Sequence, residues 1–195
     1  MKILLVSDYE NPALWDYYCP GKLDGIDLII SCGDLKAEYL EFLVTMGRAP
    51  VLYIHGNHDG CYEKCPPEGC DCIEDDLVKI NGLRIAGLGG CMAYNGGAHQ
   101  YTERQMWWRV LKLCVKILLA GGVDVLVTHA PVSGCGDSEH LSHRGFKSFL
   151  WLLERFRPKF WVHGHVHLNY GRNPRMIQRG ETTVINAYGS YLLEL

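Results

Sequence analysis

Five short polar blocks, each placed directly after an apolar run, constrain this chain more than any other feature. The most informative block is Gly56-Asn57-His58-Asp59, which follows the strand-like run 50–54. Its glycines allow the backbone to turn sharply. Asn, His and Asp are side chains that bind metals or transfer protons, and three of them in succession are unusual in a loop. We therefore expect this loop to carry chemistry.

Four other apolar runs end in residues of the same kind. They are 3–6 followed by Asp8 and Glu10, 28–30 followed by Gly33-Asp34, 123–127 followed by His129, and 160–162 followed by Gly164-His165-Val166-His167. Continuous apolar strands of this type predict a parallel sheet that is covered on both faces.

Length and charge narrow the class of protein. The 195 residues, 48% of them hydrophobic, fit one domain with a substantial core, and we expect a single domain over 1–195. A net charge of −3 provides no general attraction to nucleic acid or anionic membranes. The N-terminal apolar run is too short for a signal peptide, and no run approaches the length of a membrane span. These features favour a cytoplasmic protein without a membrane partner.

Nine cysteines are many for such a chain, and four of them cluster around Pro66-Pro67: Cys61, Cys65, Cys70 and Cys72. This loop is either a structural zinc or redox site or a set of reduced thiols. Because the spacing lacks two Cys-x2-Cys pairs, it favours reduced thiols.

The rest of the pattern predicts three helices and further strands. The helices are expected over 36–46, from the Thr102 cap to about 119, and from about His143 to 156. Asn81-Gly82 predicts a hairpin. The runs 182–187 and 190–193 predict two strands that close a second sheet.

The second helix is predicted to be amphipathic. Its polar stripe is Gln105, Arg109, Lys112 and Lys116. Its apolar face is Trp107, Val110, Leu111, Cys114, Ile117 and Leu118.

Six ligand-type side chains stand at the ends of the apolar runs: Asp8, Asp34, Asn57, His129, His165 and His167. Carboxylate, imidazole and amide ligands suit borderline divalent metals such as Mn, Fe, Zn or Co. One metal with an open substrate position rarely needs so many ligands, so two metals are the simpler interpretation. A shared carboxylate would hold them about 3.5–4 Å apart.

These blocks resemble the calcineurin-like metallophosphoesterase superfamily, whose pattern runs Asp-x-His, Gly-Asp, Gly-Asn-His-Asp/Glu, His and Gly-His-x-His. All five blocks occur here in that order, between residues 8 and 167. Five ordered blocks are far more specific than one. The resemblance implies an α/β fold, a four-layer αββα sandwich of two mixed β-sheets flanked by helices. It also implies a dinuclear metal-dependent phosphoester hydrolase.

By this resemblance, Asp34 bridges the two metals. The first metal would be held by Asp8, position 10, Asp34 and His167, and the second by Asp34, Asn57, His129 and His165. The chain departs from the pattern at Glu10, where the superfamily has histidine. Glu10 either ligates, favouring Mn or Fe over Zn, Ni or Co, or points away and leaves a weaker first site.

The mechanism follows from charge. A hydroxide held between two cations would attack phosphorus in line, while His58 protonates the departing alkoxide and Asp59 orients His58. His143 and Arg144 are candidate substrate contacts at a helix start, where backbone amides favour phosphate. Because the blocks hold no cluster of Lys or Arg for a dianionic monoester, a small phosphodiester is the favoured substrate.

Two alternatives remain open at this point. Glu10 makes a catalytically impaired metal-binding scaffold or regulatory protein plausible. A nuclease is the other, although the acidic balance and the small size disfavour nucleic acid as a partner.

Overall fold

The computed structural model describes residues 1–168 and 174–195. Its strands are β1 Lys2–Ser7, β2 Leu28–Ser31, β3 Val51–Tyr53, β4 Asp71–Cys72, β5 Leu77–Ile80, β6 Leu83–Leu88, β7 Cys91–Met92, β8 Gln100–Tyr101, β9 Val125–Thr128, β10 Phe160–His163, β11 Met176–Arg179, β12 Thr182–Asn186 and β13 Gly189–Glu194. Its α-helices are α1 Ala37–Gly47, α2 Glu103–Leu119 and α3 Lys147–Phe156, with 3-10 turns at Pro12–Leu14, Asp59–Glu63 and Leu141–His143.

The strands form two large mixed sheets. Sheet 1 has the order β13-β1-β2-β3-β4 and is parallel apart from β13, which runs antiparallel to β1. Sheet 2 has the order β11-β12-β10-β9-β6-β5, with four parallel central strands and antiparallel edges at β11 and β5. The two-residue strands β7 and β8 pair with each other.

Alternation along the buried strands explains how four layers pack. In β1, Ile3 and Leu5 join the core between the two sheets, while Leu4 and Val6 join the core beneath α1. The outer face of sheet 2 packs in the same way against α2 and α3. Each buried Leu or Ile side chain contributes about 1.5–3 kcal/mol to folding. The predicted αββα sandwich of two mixed sheets is confirmed.

The last strand corrects one prediction. β12 joins sheet 2 as expected, with β11 as the edge strand beside it, but β13 crosses over and pairs with β1 in sheet 1. The crossover occurs between Ala187 and Tyr188. The Ala187 backbone N–H still donates to the His163 carbonyl in sheet 2, whereas Tyr188 forms a β-bridge to Ser7 in sheet 1. The half-exposed β13 therefore covers the edge of sheet 1.

The capping box at Thr102 and Gln105 is present, but the predicted apolar face of α2 is partly wrong. Leu111 and Leu118 are exposed, whereas Met106 and Leu113 are buried. Residues spaced by four, three and four positions face sheet 2, so the buried stripe runs through 106, 110, 113 and 117. None of the helices in the described part of the chain is long and apolar enough to cross a membrane.

Candidate metal centre

The polar blocks come together at one edge of the sandwich. They follow β1, β2 and β3 of sheet 1 and β9 and β10 of sheet 2, so parallel strands deliver them to neighbouring loops. They border a pocket of about 560 Å³ lined by Asp8, Asp34, Asn57, His58, Tyr94, Ser142, His143, His165 and His167. His129 is fully buried beside this pocket.

The glycines of the blocks allow the loops to approach closely. A Cβ at Gly56 would collide with the Asp34 carboxylate, and a Cβ at Gly164 would collide with Ser7 Oγ and Asp8 Oδ2. Gly56 thus lets two loops of sheet 1 meet, and Gly164 lets the last block, from sheet 2, meet the first block, from sheet 1.

Three candidate ligands have backbones in the sparsely populated left-handed region. Their φ values are 62° at Asp8, 57° at Asp34 and 66° at His165. Such residues typically cost on the order of 1–3 kcal/mol each, and they cluster at functional sites. The surrounding packing is therefore maintaining a demanding loop geometry.

One set of ligand atoms converges closely. The metal-ligating atoms of Asp34, His129 and His165 lie within 4.8 Å of one another. His129 Nε2 is also 3.1 Å from Asn57 Oδ1 and 3.3 Å from Asp34 Oδ2. Since His129 Nδ1 donates to the Cys32 carbonyl at 2.7 Å, a neutral ring would present the Nε2 lone pair to the centre. A carboxylate, an amide oxygen and two imidazoles fit a borderline divalent cation.

The charges at this centre are strongly coupled. Burial would lower the pKa of His129, but the neighbouring Asp34 carboxylate outweighs it and raises that pKa to about 10. Burial would raise the pKa of Asp34, yet His129 and the His58 amide hold it below its ordinary value. Burial and the nearby His129 lower the pKa of His165 to about 3. A cation placed among these groups would neutralise the carboxylate and occupy the imidazole lone pairs.

The other two candidate ligands, Asp8 and His167, differ in exposure. Asp8 is buried and its Oδ2 accepts from the His165 backbone N–H at 2.8 Å, which ties the first block to the last. Its Oδ1 is 3.9 Å from Nε2 of His167, whose side chain is 41% exposed. The His167 ring also packs 4.8 Å from the Tyr188 ring.

Glu10 is not part of the convergent group of ligand atoms, although it shares an adjoining pocket with Asp8 and Asp34. Its carboxylate accepts from the Lys36 backbone N–H at 3.2 Å and from Lys36 Nζ at 3.3 Å. His58 and Asp59 border the same adjoining pocket. The Glu10 carboxylate is thus bonded to Lys36, the residue that precedes α1.

His58 and Asp59, the candidate catalytic pair, have different surroundings. The His58 side chain is 75% exposed, with Nε2 3.9 Å from Asp34 Oδ2, and its backbone N–H donates to Asp34 Oδ1 at 2.8 Å. Asp59 is buried, and its Oδ2 accepts from the backbone N–H groups of Gly56 at 2.7 Å and Asp34 at 2.8 Å. Burial raises the Asp59 pKa to about 6. These bonds make Asp59 a link between the second and third blocks.

Of the two predicted substrate contacts, only His143 lines the pocket. His143 lines the pocket, with its ring centre 5.2 Å from that of His165, whose Nε2 also contacts the Ser142 carbonyl. Arg144 lies outside the lining and donates to the Glu139 carbonyl at 3.1 Å.

The helix expected from His143 begins later. Residues 141–143 form a 3-10 turn, and α3 starts at Lys147. The Lys147 and Ser148 amides donate to the Glu103 carboxylate at 3.0 and 2.8 Å. Because these donors already have an anionic partner, the start of α3 does not provide the phosphate site that the sequence suggested.

Tyr94 is a pocket residue that the sequence interpretation missed. Its hydroxyl accepts from Asn57 Nδ2 at 3.5 Å. Its loop is fixed by Gln100 Oε1, which accepts from the Tyr94 and Asn95 amides at 3.1 Å. Nothing in the sequence distinguishes this tyrosine from other aromatic residues.

A buried ion-pair network supports the third block from behind. Glu74 accepts from the His55 and Gly89 backbone N–H groups at 3.1 Å and contacts the guanidinium of Arg109. Arg109, predicted as part of a polar stripe, is thus used internally and also donates to Asp75 at 2.9 Å. Burial would raise the pKa of Glu74, but His55 and Arg109 together lower it to about 2. The network joins α2 to the strand ends near Asn57.

The cysteine cluster shows no metal geometry. Cys61, Cys65, Cys70 and Cys72 are free thiols. Within residues 1–168 and 174–195, the convergent group of metal-ligating side chains is Asp34, His129 and His165.

Comparisons with known proteins show what the chain is similar to. Residues 1–169 match the family of calcineurin-like phosphoesterases. The UPF0046 protein K07C11.7 of Caenorhabditis elegans is 26% identical over 220 residues, covering 96% of this chain and 69% of the relative. Human metallophosphoesterase domain-containing protein 1 is 25% identical over 201 residues, covering 83% of this chain and 59% of the relative.

Among the curated relatives, the chain spans 24% of UPF0046 protein T07D4.2 and 63% of UPF0046 protein C25E10.12, both from Caenorhabditis elegans. A solved structure, TT1561 of Thermus thermophilus, superposes with a TM-score of 0.67 at 18% identity, covering 96% of this chain and 88% of that one. That likeness concerns the fold.

Proposed function

The chain belongs to the calcineurin-like phosphoesterase family, and we propose that it hydrolyses small phosphodiesters with two divalent metal ions. Family membership supports metal-dependent phosphoester hydrolysis in general. The observation that carries the proposal is the convergence of the Asp34, His129 and His165 ligand atoms at the end of both sheets. The proposal treats 1–195 as one catalytic domain, with Mn or Fe preferred over Zn, Ni or Co.

In this proposal the residues divide into two ligand sets. Asp34, Asn57, His129 and His165 hold one ion, while Asp8 and His167 hold the other, with Asp34 between them. When bound, the ions supply an activated water at neutral pH and neutralise charge on the phosphoryl oxygens. The bonds from Lys36 to Glu10 support the interpretation in which Glu10 does not ligate.

We assign the general acid to His58. Its ring is exposed at the pocket rim, where it can reach a leaving-group oxygen, while its backbone N–H is fixed to Asp34 Oδ1. His58→Ala should therefore slow the hydrolysis of alkyl esters, which need a proton, far more than that of nitrophenyl esters. Retained metal content is the control, and equal slowing of both ester types would contradict the role.

Two features support a diester. The residues lining the pocket include no Lys or Arg in the described part of the chain, so the protein adds no cation for the second charge of a monoester. Arg144, the one candidate from the sequence, donates to Glu139 instead.

Tyr94 has a positioning role in this proposal. Because Asn57 Nδ2 donates to the Tyr94 hydroxyl, Asn57 Oδ1 is left facing His129 Nε2 and the centre. If the Asn57 amide were flipped, its NH2 group would face the cation. An NH2 group is only a hydrogen-bond donor and cannot bind a cation.

The experiment compares bis-p-nitrophenyl phosphate with p-nitrophenyl phosphate, using metal-stripped protein with Mn, Ni, Zn or Mg added back. We expect a metal-dependent rate that is higher for the diester, lost in Asn57→Ala and His165→Ala, and kept in His140→Ala, which alters an exposed histidine outside the lining. A faster monoester would overturn the substrate class. The second candidate function is a catalytically impaired metal-binding scaffold, which the bonds of Glu10 to Lys36 favour. The absence of turnover in folded protein would support that candidate.

A further inference from the structure

The outer face of α2 exposes large apolar side chains that the fold does not use. Trp108, Leu111, Val115 and Leu118 are between 44% and 60% exposed, on the face opposite the one that packs on sheet 2. They are spaced by three, four and three residues, which places them in one line along the helix. A narrow line of this spacing is the seam of a coiled coil, and we call these four residues the α2 seam.

Helix α3 extends the seam with aromatic surface. Trp151 of α3 is 39% exposed, and its ring centre lies 5.3 Å from that of Trp107 on α2. Trp is enriched among the side chains that dominate protein–protein binding energy. We call the seam and this Trp pair together the apolar strip.

Cations border this strip on both sides. Lys112 lies next to the α2 seam, and Lys147 and Arg155 each lie one helical turn from Trp151. None of these three forms an ion pair with another described residue. The chain as a whole carries a net charge of −3, so this cationic border is a local feature.

The nearby carboxylates are already occupied. Glu103 accepts from the first amides of α3, Glu154 pairs with Arg179 at 3.5 Å, and Asp76 pairs with Lys116 at 2.8 Å. The unpaired cations therefore lack local acidic partners.

We propose that the α2–α3 face docks an amphipathic helix of a partner protein, with apolar residues at heptad spacing and acidic residues beside them. The 17 residues of α2 span about 25 Å, which matches between four and five turns of a partner helix. Acidic flanks would meet Lys112, Lys147 and Arg155. A second copy of this chain would bring the same cations together, which is unfavourable. Anionic lipid would attract the same cations, so binding to vesicles is one of the outcomes that the test separates from binding of a helix.

The test uses two labelled synthetic peptides of about three heptads each. Both carry Leu at positions a and d, and they differ in having Glu or Lys at e and g. Fluorescence anisotropy should show the Glu peptide binding wild-type protein at least roughly tenfold more tightly than the Lys peptide, a difference of about 1.4 kcal/mol. Binding should weaken with salt.

The variant that removes the surface is Leu111→Glu with Val115→Glu. We expect it to lose the Glu peptide, while Tyr17→Glu, a matched change at an exposed apolar residue elsewhere, keeps it. Circular dichroism and phosphodiesterase activity should equal wild type in both variants, because neither alters the pocket. The docking result therefore stands or falls separately from the proposed function.

Three outcomes would overturn the proposal. The first is equal affinity for the two peptides, or binding unchanged in the double variant. The second is a concentration-dependent dimer that the double variant abolishes, which would make a second copy the occupant. The third is seam-dependent binding to phosphatidylserine vesicles without binding to the Glu peptide, which would make the surface a membrane contact.

Discussion

The two halves of the candidate metal centre differ in how completely the fold prepares them. Around His129 the ligand atoms are buried, lie close together and are fixed by hydrogen bonds to one another and to the backbone. Around His167 the imidazole is 41% exposed, its Nε2 is 3.9 Å from Asp8 Oδ1, and Glu10 is bonded to Lys36. We call these the His129 half and the His167 half.

The fold tolerates a departure from the motif in the less ordered half. In the His129 half, each ligand also holds a neighbouring loop, so replacing one would disturb several others. Glu10 replaces the expected histidine in the His167 half, where it has a partner in Lys36 and disturbs none of the buried contacts. The residue that departs from the motif, Glu10, therefore belongs to the same half as the more exposed ligand, His167.

The largest expected effect comes from removing a ligand of the His129 half. His129→Ala should lower the metal-dependent rate by at least roughly hundredfold, because it removes a buried ligand and leaves the Cys32 carbonyl without its donor. His167→Ala should lower the rate less at saturating Mn. Rates measured against Mn concentration distinguish the two variants. Equal losses of rate at saturating Mn would show that the two halves do not differ.

The next effect concerns the network behind the His129 half. Folding lowers the Glu74 pKa to about 2. The ionised carboxylate therefore stabilises the folded protein at pH values above its pKa in the unfolded chain, and this stabilisation is lost as the pH falls through its pKa in the folded protein. The loss should be on the order of 3 kcal/mol between about pH 5 and pH 2. Urea unfolding across this range checks it.

Glu74→Gln is the matched control for that titration. It should be less stable than wild type at neutral pH, and the difference should shrink on acidification. A constant difference across the range would contradict the assignment of the acid loss to Glu74.

A smaller effect should come from restoring the superfamily residue. Glu10→His should tighten Mn binding in the His167 half by roughly tenfold, about 1.4 kcal/mol, if the imidazole reaches the ion. Glu10→Gln removes the charge without adding that ligand and should leave Mn affinity near wild type. A tenfold loss in Glu10→Gln would instead identify Glu10 as a ligand.

The smallest effect is expected at Tyr94. Tyr94→Phe removes one long hydrogen bond to Asn57, worth about 0.5–1.5 kcal/mol. Mn affinity and rate should therefore both fall by a few-fold. Tyr17→Phe, at an exposed tyrosine outside the pocket lining, is the control. A loss of rate with unchanged Mn affinity would show that Tyr94 contacts substrate instead.

The sequence predicted the fold well because the layers depend on apolar alternation. Strands such as β1 and β9 are apolar on both faces, and this requires cover on both sides. The crossing of β13 to sheet 1 was not predictable from its own residues, because it depends on the spatial position of Ser7 relative to Tyr188.

For the site, block order identified the residues but not their contacts. The bonds of Asp59 to the Gly56 and Asp34 amides depend on how two loops pack, which no local pattern encodes. The contacts of Arg109 were not predictable either. Its charge predicted exposure to solvent, but it contacts Glu74, which lies 35 residues away in the sequence. Long-range charge pairing overrode the helical periodicity there.

The most direct test of the difference between the halves is calorimetric titration of Mn into the metal-free protein. We predict two classes of site differing by at least roughly tenfold in affinity, with the tighter one removed by His129→Ala and the weaker one by His167→Ala. Two sites of equal affinity, or a tighter site that survives His129→Ala, would contradict the account.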